Sequence, residues 1–296
     1  MKRHAVVLVI LLSACAACPA VAPAADNNQA PVLKARVNGI ELAYQELGHG
    51  DPLVMIMGYG GSMDLWSPRL LTLLSRSYSL LVFDNRGMGQ STEDARDYSI
   101  PLFADDTLGL MDALGIQKAT ILGWSMGAET AQELAISHPE RVRGLVLISG
   151  SPGGKDQVNP DPGVLRRLTD QTGGSLLRGL RLVNLLFPEA WLKTHPFWTV
   201  FPIHATMNPH ERSLRQLKAM TEWSGSWSRL SLLSCPTLII TGDQDVILPA
   251  ENSVKLAAGI RGSRLIRFPD AGHGVMFQYA DSIAQDINNF ISGMVD

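Results

Sequence analysis

An apolar, β-branched run over residues 119–122 gives way almost at once to the helical spacing of residues 126–135. The turn between them is Gly123-Trp124-Ser125-Met126-Gly127. A strand that becomes a helix so abruptly forces strained backbone angles on the central residue. Glycines on both sides remove the β-carbons that would collide where strand and helix fold together. The Ser125 hydroxyl then stands at a helix N-terminus, where free N–H groups and the helix dipole favour negative charge. A five-residue pattern of common residues recurs by chance, so its weight comes from its position at a strand-to-helix junction. The plain alternative is a structural turn whose serine caps the helix.

The surrounding chain repeats the strand-then-helix theme. Residues 32–37 and 40–47 read as strands joined by Asn38-Gly39, a hairpin signal. Residues 52–57 form an apolar strand followed by Gly58-Tyr59-Gly60-Gly61-Ser62. A helix is expected over 63–74, with Ser62 as its candidate cap. A strand over 80–83 runs into Asp84-Asn85-Arg86, and 101–114 is an amphipathic helix that stops at Gly115. Strands follow over 145–148, 237–241 and 265–268. Helices are expected over 249–258, with Pro249 in the first turn, and up to residue 291. This alternation predicts an α/β fold: a mostly parallel central sheet with helices on both faces. In such sheets functional residues gather at the carboxyl ends of the strands.

Residues 152–233 break the rhythm. Two helices are expected there, over 164–187 and 209–220, and four of the six tryptophans (Trp191, Trp198, Trp223 and Trp227) fall within the stretch. Those aromatics suit the core of a small helical subdomain, and equally the underside of a lid that walls a pocket. The expected organisation is a core over 31–151 and 234–296, interrupted by an α-helical cap over 152–233.

The chain has 296 residues, 46% of them hydrophobic, and a formal net charge of −3. Removing Lys2 and Arg3 with a leader leaves 23 basic residues against 28 acidic, about −5. That balance offers no electrostatic footprint for nucleic acid or an anionic membrane. The leader itself is legible: a basic start, Met1-Lys2-Arg3-His4, then an apolar stretch over 5–12 too short to span a bilayer. It ends in Leu12-Ser13-Ala14-Cys15, which resembles a bacterial lipoprotein box. The resemblance implies a signal peptide over 1–14, acylation of Cys15, a flexible tether over 15–30 and a place in the cell envelope. The competing expectation is ordinary cleavage near Ala22-Pro23-Ala24, giving a soluble periplasmic or secreted protein. A Cys18–Cys235 disulfide is formally allowed, although no disulfide framework exists among three cysteines.

A serine hydroxyl needs a base within hydrogen-bond reach, and that base needs a third group to orient it. Of the seven histidines, only His273 follows a core strand at the active edge; His195, His204 and His210 belong to the insert. The acid should also follow a core strand, and Asp243 and Asp245 both do. Gly153-Gly154-Lys155 lacks the spacing of a phosphate-binding loop, Gly87-Met88-Gly89 is no dinucleotide fingerprint, and no histidine or cysteine pair has metal-ligand spacing.

From about Val32 to its C-terminus the sequence resembles the α/β-hydrolase superfamily. Ser125, Asp245 and His273 match the family order of nucleophile, acid and base. Gly242-Asp243-Gln244-Asp245 matches the family's Gly-x-x-Asp pattern, and Gly272-His273-Gly274 its histidine loop. The resemblance implies Asp245 as the acid, and an oxyanion hole from the backbone N–H groups of Tyr59 and Met126. Met57 departs from the family's usual histidine, which affects a side-chain role there and spares the backbone one. Asp84-Asn85-Arg86 also matches a family loop, most simply a structural turn tied by its arginine. Serine at 125, where dehalogenases and epoxide hydrolases carry aspartate, implies a cofactor-free serine hydrolase acting on a small-molecule ester or lactone. Cofactor-free haloperoxidases or perhydrolases, carbon–carbon bond hydrolases with the same triad, and a non-catalytic ligand-binding protein are the alternatives. No cofactor and no metal are implied.

Overall fold

The computed structural model describes residues 30–294. The leader, Cys15, Cys18 and nearly all of the tether lie outside the described residues. The chain runs β1 (Leu33–Val37), β2 (Ile40–Gly48), β3 (Asp51–Ile56), α1 (Pro68–Leu74), β4 (Tyr78–Phe83), α2 (Ile100–Ala113), β5 (Ala119–Trp124), α3 (Met126–Ser137) and β6 (Val142–Ile148). Then come α4 (Pro162–Thr169), α5 (Ser175–Leu186), α6 (Glu189–Leu192), α7 (His210–Glu222), β7 (Thr237–Gly242), α8 (Glu251–Gly259), β8 (Arg264–Phe268), α9 (Val275–Gln278) and α10 (Ala280–Ser292).

The eight strands form one sheet in the order β1-β2-β4-β3-β5-β6-β7-β8. β1 and β2 are antiparallel, as is β2 to β4, and every other pairing is parallel. Asn38 and Gly39 both carry positive φ, 49° and 85°, which the tight β1–β2 turn requires. Alternate residues of each central strand point to opposite faces. Leu53, Met55, Leu122, Val146 and Ile240 join α1, α9 and α10 in one core. Val54, Ile56, Ile121, Leu147 and Ile239 join α2, α3 and α8 in the other. Each fully buried Leu or Ile contributes roughly 2 kcal/mol, so two such cores fix the register of the sheet.

Three helices differ from expectation for local reasons. The helix expected over 63–74 is a 3₁₀ turn, Met63–Leu65, followed by α1. Pro68 has no N–H and restricts the residue before it, so the α-helix starts there. Ser67, not Ser62, is its cap, accepting the Leu70 N–H at 3.4 Å. Ser62 donates instead to Asp64 Oδ1 at 2.7 Å. The single helix expected over 164–187 is divided into α4 and α5 by Gly173-Gly174, with Gly173 at φ +81°. α8 begins at Glu251, which leaves Pro249 just ahead of it.

The residues between β6 and β7 carry α4 to α7 and lie against loops at the carboxyl ends of the strands. Asn208 bridges two of those loops, taking the Gly89 N–H at 2.7 Å and donating to Gly60 O at 3.0 Å. Arg212 donates to Glu93 at 2.8 Å, and Arg215 pairs with the same carboxylate while lying 4.0 Å over the Tyr98 ring. Farther along, the Trp223 indole and Arg229 both donate to Glu133 of α3. Cys235 forms no disulfide among the described residues. No helix among the described residues is long and apolar enough to cross a membrane.

Candidate active site

Ser125 sits between β5 and α3 with φ 58° and ψ −123°, a left-handed conformation that side chains adopt only under constraint. The constraint is visible in its neighbours. A β-carbon on Gly123 would lie 2.2 Å from Gly127 O, and one on Gly127 would lie 2.0 Å from Ile56 O. Both contacts are with backbone that cannot yield, so only glycine fits at either end of the turn. The Ser125 N–H is held by Ile148 O at 2.9 Å, and its carbonyl accepts the Ala128 N–H at 2.8 Å. Ser125 is 6% exposed.

His273 and Asp245 come from the loops after β8 and β7. His273 Nδ1 lies 2.7 Å from Asp245 Oδ2, and both side chains are buried. The other oxygen, Oδ1, accepts the N–H groups of Ile247 at 2.9 Å and Leu248 at 2.8 Å. Asp245 is therefore clamped on both oxygens and presents a fixed edge to the imidazole, with Nδ1 as donor. Asp243, the other aspartate that follows β7, turns outward and takes Arg267 Nε at 2.7 Å. It is Asp245 that meets the histidine.

The histidine loop is joined to the serine turn through Trp124. The Trp124 indole N–H donates to His273 O at 3.1 Å, and the two rings lie 5.4 Å apart. Ser125 and His273 are thus held on either side of one residue. Among the described residues no hydrogen bond joins Ser125 Oγ to the imidazole, a spacing common before substrate is bound.

The loop after β3 closes the other side. A β-carbon on Gly58 would come within 3.0 Å of Ser125 Cβ and 2.9 Å of Trp124 O, so this loop abuts the serine directly. Neither the Tyr59 nor the Met126 N–H donates to another group among the described residues. Three side chains set that loop. Asn85 Nδ2 donates to Met57 O at 2.9 Å. Asp84 accepts the Met63 N–H at 2.7 Å and the Gln90 N–H at 2.8 Å. From α7, Gln216 Oε1 accepts the Gly60 N–H at 2.7 Å. Burial pushes the Tyr59 phenol above its ordinary range, so it is neutral at any physiological pH.

The Asp84-Asn85-Arg86 turn is structural, as its sequence suggests, and it also supports the loop beside the serine. Arg86 is fully buried and meets Asp106 with two bonds of 2.8 Å, plus Asp94 at 2.9 Å. One turn beyond Ser125 on α3 lies Glu129, also buried, whose Oε1 accepts the Ser151 hydroxyl at 2.8 Å. Burial outweighs that bond and pushes the carboxyl up to about 8, which keeps it neutral near pH 7. Asn85 and Trp124 lie within the Asp84-Asn85-Arg86 and Gly123-Trp124-Ser125-Met126-Gly127 motifs, although neither motif singles out its side chain. Glu129, Asn208 and Gln216 carry no motif that could have singled them out.

A cleft of about 450 Å³ between α5, α6 and the 243–246 loop ends on Asp245. It does not include Ser125 or His273 and is not where a reacting group would sit. Among the described residues no three histidine, cysteine or acidic side chains are grouped to hold a metal ion.

The family model for the α/β hydrolase fold matches residues 51–279. Serine hydrolase BPHL of Mus musculus is 26% identical over 263 residues, which cover 87% of this chain and 85% of that protein. The enol-lactonase of Burkholderia xenovorans is 25% identical with a TM-score of 0.75, over 88% of this chain and 100% of that one. A thermophilic esterase from Thermogutta terrifontis is 26% identical with a TM-score of 0.73, over 89% and 97%. With the strained serine turn, the buried aspartate–histidine pair and the sheet order already described, this chain belongs to the α/β hydrolase fold family.

Proposed function

We propose that the protein is a serine hydrolase that cleaves a carboxylic ester or lactone through an acyl-enzyme. The observation that carries this reading is the Asp245–His273 pair, 2.7 Å apart and buried, tied through Trp124 to the strained Ser125. Ser125 Oγ attacks the carbonyl carbon while His273 takes its proton at Nε2. Asp245 holds the ring by Nδ1 and stabilises the imidazolium. The carbonyl oxygen, now an anion, is received by the Tyr59 and Met126 N–H groups; each such donor typically contributes about 3 kcal/mol to the transition state. The imidazolium then gives its proton to the leaving alkoxide. Water, deprotonated by His273, attacks the acyl carbonyl and frees the serine. The 152–233 segment acts as a cap that shields the acyl-enzyme from bulk water. We also propose export to the cell envelope with a lipid on Cys15, on the strength of the Leu12-Ser13-Ala14-Cys15 box. Mass spectrometry of the mature N-terminus tests that point, and an unmodified start near Ala25 refutes it.

The test of the chemistry is labelling by a fluorophosphonate probe together with turnover of short p-nitrophenyl esters. Ser125→Ala is expected to abolish labelling and to lower kcat by roughly a million-fold. Retention of either in that variant ends the mechanism. Silence of the folded wild type towards probe and esters favours a non-catalytic, ligand-binding member of the fold.

A further inference from the structure

α5 of the cap ends against the loop that carries His273. The last carbonyls of a helix have no partner within it, and that of Leu186 accepts the Gly274 N–H at 2.9 Å. The approach is close on both sides of the histidine. A β-carbon on Gly272 would lie 2.5 Å from Leu186 O. One on Gly274 would lie 2.8 Å from Phe187 Cε1 and 3.2 Å from Leu186 O. Neither glycine has a positive φ, so what each supplies is room and not backbone freedom. The cap fills that room. Phe187 is buried, stacks on Trp191 with ring centres 5.0 Å apart and meets Phe277 edge-on at 6.0 Å.

The core holds the same three residues from the other side. Gln278 Oε1 accepts the Gly272 N–H at 2.9 Å, the Trp124 indole donates to His273 O, and Asp245 meets the imidazole at Nδ1. The Gly274 carbonyl accepts the Phe277 N–H at 2.9 Å, which ties it to α9. The Gly274 N–H goes to the cap. A base that takes a proton from Ser125 and returns it to a leaving group has little latitude, since a misplacement of about 1 Å costs roughly a hundred-fold in rate.

We propose that Phe187 is a positioning residue for His273. Its ring, pressed on Gly274, sets the Gly272-His273-Gly274 loop, so that seating of the cap and placement of the base are one event. This inference rests on the serine hydrolase reading and gives the cap a part in proton transfer besides the exclusion of water.

The experiment measures kcat and KM for p-nitrophenyl acetate from about pH 5 to pH 9. The wild type is compared with Phe187→Leu, Gly274→Ala and the double variant. Leu168→Ala, which loosens the same core from α4, is the control. Phe187→Leu is expected to lower kcat about ten-fold and to leave KM within about two-fold. The acidic limb of its kcat/KM profile should move to lower pH by about half a unit, because an imidazole set less squarely on Asp245 gains less from that carboxylate. Leu168→Ala should leave kcat and the limb where they are in the wild type. Gly274→Ala drives a methyl group against Phe187 Cε1 and should lower kcat about a hundred-fold. Phe187→Leu removes that atom, so the double variant should recover about ten-fold or more over Gly274→Ala. Additive losses in the double variant overturn the assignment. Unchanged kcat and limb in Phe187→Leu do so too, as does an equal effect of Leu168→Ala. Should Gly274→Ala fail to fold, the profiles of Phe187→Leu and Leu168→Ala decide alone. Any of these failures in an active enzyme removes this inference only; a wild type silent towards esters and fluorophosphonate removes the hydrolase reading and this with it.

Discussion

Trp124 donates its indole N–H to the main-chain carbonyl of His273 at 3.1 Å, across 149 positions of sequence. The residue that precedes Ser125 therefore holds the loop that carries His273. Trp124→Phe keeps an aromatic ring against Trp66 and Phe277 but removes this donor. The expected result is a stability loss of about 1–2 kcal/mol in urea unfolding. A fall in kcat of about ten-fold on a p-nitrophenyl ester should accompany it, from a less well-placed imidazole. Unchanged kcat would show that the Trp124 donor does not position His273.

The two aspartates after β7 give opposite expectations. Asp245→Asn should lower kcat by about 10⁴ with little change in fold, because an amide fixes the wrong imidazole tautomer. Asp243→Asn loses only a solvent-exposed ion pair with Arg267. Such pairs are worth about 0–1 kcal/mol, and kcat should stay within about two-fold of wild type. Steady-state kinetics of the two purified variants side by side decides between them.

Glu129 gives stability a pH dependence of unusual sign for a carboxyl group. Its ordinary value is 4.5 and the folded value is pushed up to about 8 by burial, so the folded state binds the proton more tightly than the unfolded chain. Its favourable contribution is complete below about 4.5, where both states are protonated. It falls as pH rises through that window and is gone above about 8. Glu129→Gln keeps an acceptor for Ser151 and cannot ionise. Urea midpoints measured from pH 5 to pH 9 should therefore decline less in the variant than in the wild type. Parallel curves would mean that Glu129 is charged in the folded protein.

Arg86 and Asp106 test the turn beneath the loop after β3. Arg86→Met leaves Asp106 buried and unpaired on that side, at an expected cost of about 3–5 kcal/mol. Arg86→Met combined with Asp106→Leu removes both charges and should recover much of that loss. Denaturant titration of the single and double variants gives the coupling. A single variant as stable as wild type would show that the buried pair is dispensable.

The parts of this molecule that could be read in the sequence are those specified locally. The central strands are apolar runs bounded by glycine and aspartate, and the turn around Ser125 needs its two glycines whatever surrounds it. Local chemistry alone gives Asp243 and Asp245 equivalent places after β7, and only the Gly-x-x-Asp pattern points to Asp245. In the fold Arg267 on β8 draws Asp243 outward, while Asp245 meets His273. The break at Pro68 was in plain view, hidden only by continuous apolar spacing on both sides. Gln216 is the opposite case: its partner, Gly60, is 156 positions away, and a single glutamine on a polar helix announces nothing.

Ser125 owes its left-handed backbone to three strands at once: its own β5, β6 through Ile148 O, and β3 through the Ile56 carbonyl pressed against Gly127. No peptide around it would hold that shape, which costs about 1–3 kcal/mol in isolation. The proposed nucleophilicity of Ser125 is therefore a property of the assembled sheet and not of the motif. During refolding from urea, helix signals in the far ultraviolet should recover ahead of fluorophosphonate labelling. The probe then counts only those molecules in which the parallel strands have met.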